Sequence, residues 1–135
     1  MVMIEVGQEY RHSFSFTQQE VEKFAAVSGD NNPIHLDPAY AAKTVFKRPI
    51  IHGFLGASIF SKVFGMLFPG EGTVYMSQNM RFMAPMFVDE TYEAVFKVLE
   101  VNAEKHRAKV ETTVLDKDGK SIIAGDALIM NPTRI

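Results

Sequence analysis

The chain has no cysteine, which excludes disulfides, thiolate metal sites and cysteine nucleophiles together. It has no excess of positive charge either. Fourteen Lys+Arg stand against sixteen Asp+Glu, a net charge of −2, a poor match for a nucleic-acid binder. Repeats, low-complexity stretches and Ser/Pro-rich linkers are absent, so residues 1–135 read as one domain. The segment from Met1 to Glu9 shows no basic n-region, no extended apolar run and no small-residue cleavage site. A soluble cytoplasmic protein is the expectation. One further absence is local: no Asp or Glu occurs from Pro38 to Gly70, although Lys43, Lys47, Arg48 and Lys62 do.

Apolar residues make up 47% and charged residues 22% of the 135 positions, ordinary globular composition for a chain long enough to bury a real core. Tyr10, His12, Phe14 and Phe16 alternate with polar residues, a short strand-like pattern. Thr17 and Glu20 have capping-box spacing, and Val21, Phe24, Ala25 and Ser28 follow at helical intervals until Gly29. Asp30 to Pro33 reads as a turn, with Pro33 blocking a helix; Asp37-Pro38 reads as a cap and first position of a short helix to about Lys43. The segment Gly53 to Phe68 is apolar on every side of a helical wheel. At sixteen residues, with Lys62 inside it and Pro69-Gly70 after it, it suits the centre of a core better than a membrane span.

After residue 72 the period becomes two. Strands are expected over 74–82, 91–101, 107–116 and 122–130, with Asp118-Gly119 as a hairpin signal. Antiparallel strands following one buried helix predict an α+β fold with a sheet wrapped around that helix.

Polar residues stand out against the apolar helix. Asp30, Asn32, His35 and Asp37 crowd the turn, while His52 and Ser61 flank or enter the helix. Structural uses exist for all of them: Asx residues satisfy turn backbones, His35 suits a buried histidine, His52 a cap, and Ser61 a bond to its own helix. The spacing of His35, Asp37 and His52 matches no common zinc motif, so no metal is expected. EF-hand, phosphate-loop and nucleophile-elbow patterns are also missing. The chemical alternative is an acid–base pair, Asp30 and His35 converging on one water across a rigid proline turn. His52-Gly53 opens the apolar helix, where unpaired N–H groups and a missing Cβ suit a developing oxyanion.

Phe24-Ala-Ala-Val-Ser-Gly-Asp-Asn-Asn-Pro-Ile-His35, with Asp37-Pro-x-Tyr-Ala-Ala after it, resembles the hydratase motif of the (R)-specific enoyl-CoA hydratases, or MaoC-like dehydratases. Ile50-Ile-His-Gly53, Pro69-Gly-x-Gly-Thr-Val-Tyr75 and Gln78-Asn-Met-Arg-Phe82-x-x-Pro85 are similar to later landmarks of that family. The resemblance implies a hot-dog fold and homodimers with a substrate tunnel near the subunit interface. It also implies hydration of a trans-2-enoyl-CoA to an (R)-3-hydroxyacyl-CoA, or the reverse. Asp30 and His35 would hold and activate water, and the Gly53 amide would bind the thioester oxygen. Ser61 would help position the pair, and Asn32 and His52 would support it. Coenzyme A enters as part of the substrate, acyl carrier protein is a possible alternative carrier, and no separate cofactor is implied.

Two other readings stay open. Hot-dog thioesterases generally place an Asp or Glu on the central helix, which the acid-free stretch 38–70 denies here. A non-catalytic acyl-CoA-binding domain would use Asp30 and His35 structurally. The basic residues of that stretch suit either a solvated face or coenzyme A phosphates, and Phe60, Phe64, Met66, Met80 and Phe82 suit either a tunnel wall or plain core.

Overall fold

Thr17 is where the first helix begins, and it caps as its spacing requires. Its side chain accepts from the Glu20 N–H at 3.2 Å while Glu20 accepts from the Thr17 N–H at 2.9 Å. In the computed structural model, which describes residues 3–135, this helix is α1 (Gln18–Ser28), preceded by strand β1 (Glu9–Phe14). Residues 1 and 2, the start of the segment read for targeting signals, lie outside the described residues. Gly29 ends α1 with φ of 79°, a left-handed conformation that glycine adopts freely.

The turn that follows departs from expectation. Pro33 does not block a helix; it occupies the first position of a one-turn helix, α2 (Pro33–Leu36), capped by Asn32. A proline there loses only an N–H that would have had no partner. Asp37 then caps α3 (Pro38–Ala42), accepting from Ala39 and Tyr40. The central helix α4 spans Gly53–Met66. Four strands complete the chain: β2 (Val74–Phe82), β3 (Tyr92–Asn102), β4 (Arg107–Leu115) and β5 (Ser121–Met130).

All five strands form one antiparallel sheet in the order β1-β3-β4-β5-β2. Its inner face curls around α4, giving the hot-dog fold. The core is an aromatic and aliphatic seam. Phe96 of β3 is fully buried and meets Phe60 and Phe64 of α4 edge-on, with ring centroids 5.7 and 5.2 Å apart. Val98, Val110, Val114, Ile123 and Ile129 close around them. Each such side chain contributes roughly 1.5–3 kcal/mol on burial.

Burial of α4 on every side is the expectation that fails. Leu55, Ile59, Phe60, Val63 and Phe64 face the sheet, whereas Phe54, Ser58, Ser61, Lys62 and Met66 are exposed along the opposite stripe, Met66 by 74%. One sheet covers only one side of a cylinder, and the uncovered side carries the helix's polar residues Ser58, Ser61 and Lys62 together with the apolar Phe54 and Met66. The strict alternation expected along β2 fails as well. Its pairing with β5 shifts between Tyr75 and Ser77, a bulge that puts Tyr75, Gln78 and Met80 on the covered side and leaves Val74 and Met76 exposed. Among the described residues no helix is long and apolar enough to cross a membrane.

Candidate active site

Three segments meet at the N-terminal end of α4: the turn from Ser28 to Asn32, helix α2, and the extended stretch Ile50–His52. Local bonds shape the turn. The Asp30 N–H donates to Ser28 Oγ at 3.1 Å, and Asp30 Oδ1 accepts from the Asn32 N–H at 3.2 Å. Asn32 Oδ1 then accepts from the Ile34 N–H. Asn32 thus works as a cap and turn residue, and the Asp30 carboxylate stands at the surface.

His35 is buried on α2, 8% exposed. Its Nδ1 lies 2.8 Å from the Ile50 carbonyl oxygen, so Nδ1 carries the proton and Nε2 keeps a lone pair. Burial holds the imidazole below its ordinary pKa. The Ile50 carbonyl pulls it back up, His52 pushes it down, and the Asp30 charge raises it. A His35 that is neutral near pH 7, with Nε2 as an acceptor, follows from that balance.

His52 is 2% exposed and makes no capping bond to α4. Its Nε2 instead donates to the Asp30 carbonyl oxygen at 3.0 Å. Its ring stacks on His35 with centroids 3.9 Å apart and planes 28° from parallel, and Phe24 packs on it at 4.9 Å. A carboxylate oxygen of Asp30 and one ring nitrogen from each histidine lie within 4.8 Å of one another. This is a ligand-type cluster, yet two stacked imidazoles direct their in-plane lone pairs side by side. Rings so nearly parallel do not converge on one cation at the ~2 Å of a nitrogen–metal bond. Acid–base work fits the arrangement better.

Gly53 follows directly. The first hydrogen bond within α4 runs from the Gly56 N–H to the His52 carbonyl at 3.1 Å, so the amides of Gly53, Phe54 and Leu55 precede the helical ladder. A Cβ on Gly53 would come within 2.8 Å of the Phe82 ring. A side chain there would crowd the wall of a cleft of about 430 Å³ whose lining includes His35, Gly53, Phe54, Phe82, Met83 and Met86. The cleft therefore brings an imidazole and a helix start onto one apolar surface.

Ser61 is not brought to this cluster. It sits on the exposed stripe of α4, eight residues past Gly53, which is ~12 Å along the helix axis. Among the described residues it makes no hydrogen bond to Asp30 or His35. Of the basic residues, Arg48 pairs with Glu90 at 2.8 Å and lies 3.7 Å over the Phe87 ring, and Lys62 lies 3.3 Å from His12. Lys43 and Lys47 are exposed. Sequence reasoning named the titratable groups but missed the carbonyls of Ile50 and Asp30 that orient both histidines. No side-chain pattern marks a backbone acceptor.

Comparison with known proteins extends the picture. Residues 3–119 match the family described as "MaoC like domain". An (R)-specific enoyl-CoA hydratase of Aeromonas caviae is 42% identical over 129 residues, covering 96% of each chain. One from Rhodospirillum rubrum is 36% identical over 97% of this chain and 90% of its own. The solved (R)-hydratase of Pseudomonas aeruginosa, in its unliganded form, superposes with a TM-score of 0.90 at 40% identity, over 96% of this chain and 83% of that one.

Proposed function

The chain belongs to the MaoC-like domain family, and from that premise we propose that it is an (R)-specific enoyl-CoA hydratase, adding water reversibly to a trans-2-enoyl thioester. The observation that carries this reading is the meeting of an exposed carboxylate, a neutral acceptor imidazole and an open helix start beside one apolar cleft.

Asp30 and the free Nε2 of His35 are two acceptors, and one water has two protons to offer them. Asp30 takes one proton as the water oxygen attacks C3; His35 holds the other and sets the direction of attack. Charge then moves through C2 to the thioester oxygen, where the Gly53 amide and the positive end of α4 stabilise it. The acid–base pair returns its proton to C2, completing the addition of H and OH. Asn32 supports by capping α2. No carboxylate stands on α4, so the helix-borne acid of a hydrolytic hot-dog enzyme has no counterpart.

The same reading includes a homodimer. The exposed stripe of α4 and the edge strand β2, with Phe54, Met66, Val74, Met76 and Phe82 uncovered, offers an apolar face suited to a second copy. Ser61 lies on that stripe and would reach an acid–base pair only across such an interface. Coenzyme A is the proposed carrier, with acyl carrier protein as the other candidate, and the cytoplasm is the proposed location.

The direct test is incubation with a short trans-2-enoyl-CoA. Loss of the conjugated enone absorbance without release of free thiol is expected, with the product oxidised by an (R)-specific and not an (S)-specific 3-hydroxyacyl-CoA dehydrogenase. Thiol release would assign a thioesterase instead, and an unchanged substrate a binding domain.

A further inference from the structure

We propose that His52 is a positioning residue for hydration, one that ties the backbone of Asp30 and the ring of His35 to the start of α4. This inference rests on the hydratase reading and adds a part to it.

The geometry is unusual for a residue at a helix start. Position His52 is the N-cap of α4, where a short polar side chain would normally accept a hydrogen bond from the first turn. His52 makes none. Its ring turns away from the helix, its Nδ1 is buried without a partner, and an unsatisfied buried nitrogen is destabilising. A residue serving only the helix would not be a histidine in this orientation. What the ring gains lies outside its own helix. Nε2 donates to the Asp30 carbonyl at 3.0 Å, and one face supports the His35 ring at 3.9 Å.

The bonds around Asp30 show why that matters. Among the described residues, its amide and its carboxylate are held only by partners two residues away, Ser28 and Asn32. Local bonds shape a turn but do not place it against the rest of the fold. His52 supplies the tertiary link, reaching back twenty-two residues in sequence. His35 is tied to the same stretch through Ile50, whose carbonyl accepts from Nδ1 and whose N–H donates to the Ile34 carbonyl at 3.1 Å. The stretch is itself anchored, since the Ile51 N–H donates to the Met86 carbonyl at 2.8 Å. Residues 50–53 therefore act as one ruler that sets the base, the imidazole and the oxyanion amide at fixed separations. A misplacement of about 1 Å in such an array costs up to about a hundredfold in rate.

The experiment compares His52→Phe, which keeps a flat ring but has no donor, with His52→Gln, which keeps an N–H donor. Each is made in the wild-type chain and beside Asp30→Asn, and steady-state hydration of a short enoyl-CoA is read. The wild-type rate tests the hydratase reading by itself; its absence would overturn both that reading and this one. With wild type active, His52→Phe should lower kcat about thirtyfold with KM within about twofold, and His52→Gln only about threefold to tenfold. Beside Asp30→Asn, the His52→Phe loss should shrink to under about twofold, because the donor acts through Asp30 and has little left to act on, whereas the smaller His52→Gln loss, which comes from the missing ring against His35, should persist. Equal His52→Phe losses in the two backgrounds, a change confined to KM, or an unchanged kcat in folded His52→Phe would each overturn the proposal. Should His52→Phe not fold, His52→Leu, which also lacks a donor, takes its place in the same comparison.

Discussion

The turn that carries Asp30 and the seam between α4 and the sheet are built on opposite terms. The turn is exposed, short, and held by Asx-type bonds between near neighbours. The seam is buried and aromatic, with Phe60, Phe64 and Phe96 at or below 1% exposure. One region supplies charge and proton acceptors while burying little apolar area; the other buries much, and burial pushes the pKa values of its tyrosines Tyr75 and Tyr92 up to about 12. Stability and chemistry are therefore built from different residues here, and they touch where residues 50–53 join the turn to the helix and where Met86, Ile122 and Ile123 line the cleft beside His35.

The sharpest way to break the comparison is at the centre of the seam. Phe96→Ala should cost about 3–5 kcal/mol of unfolding free energy, read from the denaturant midpoint. Molecules that remain folded should keep a near-normal kcat; a large loss of kcat per folded molecule would mean the seam shapes the site directly. Next is Asp30→Asn, expected to lower kcat on the order of a hundredfold or more, about 2.7 kcal/mol of barrier. Its melting temperature should stay within a few degrees, since an asparagine oxygen can still accept from the Asn32 N–H. A folded Asp30→Asn protein with unchanged kcat would return Asp30 to the turn alone. Thr17→Ala tests the scaffold away from both regions. Loss of the cap should cost about 1 kcal/mol in stability and leave kcat untouched.

The smallest expected effect is in the pH dependence. His35 holds its proton less tightly than an ordinary histidine because of its burial. Activity that needs its free Nε2 should persist as pH falls through ~6.5 and decline only below that. The sign for stability is the same. The unfolded chain binds the proton more readily, so the contribution of a neutral His35 is full above the ordinary value and is lost as pH falls toward the folded one. An acid limb of kcat above ~6.5 would contradict the assignment.

Much of this could be read from short stretches of sequence. The capping box at Thr17–Glu20, the glycine stop at Gly29, the Asp37-Pro38 helix start and the hairpin at Asp118-Gly119 are all formed, because each depends on residues within a few positions. Strands β2 to β5 lie within a residue or so of their expected bounds for the same reason. Two of the misreadings have a different cause. The one-turn helix at Pro33 does not, since it is capped locally by Asn32, whose side chain accepts from the Ile34 N–H. The bulge in β2 depends on how β5 pairs with it. The bare face of α4 depends on how far a five-stranded sheet can reach around a helix.

The acid–base residues divide along that line. Sequence alone singled out Asp30, His35, His52 and Gly53 as candidates and, since cysteine is absent, left only oxygen and nitrogen groups for side-chain acid–base chemistry. It also determined the local periods that make five strands and a central helix. Only the tertiary structure decided which nitrogen of each histidine is free, which side of α4 is bare, and that Ser61 stands apart from the pair. The reason is physical. A period or a cap is a property of neighbours along the chain, whereas a tautomer is set by whichever carbonyl the fold brings within 3 Å, here from fifteen and twenty-two residues away.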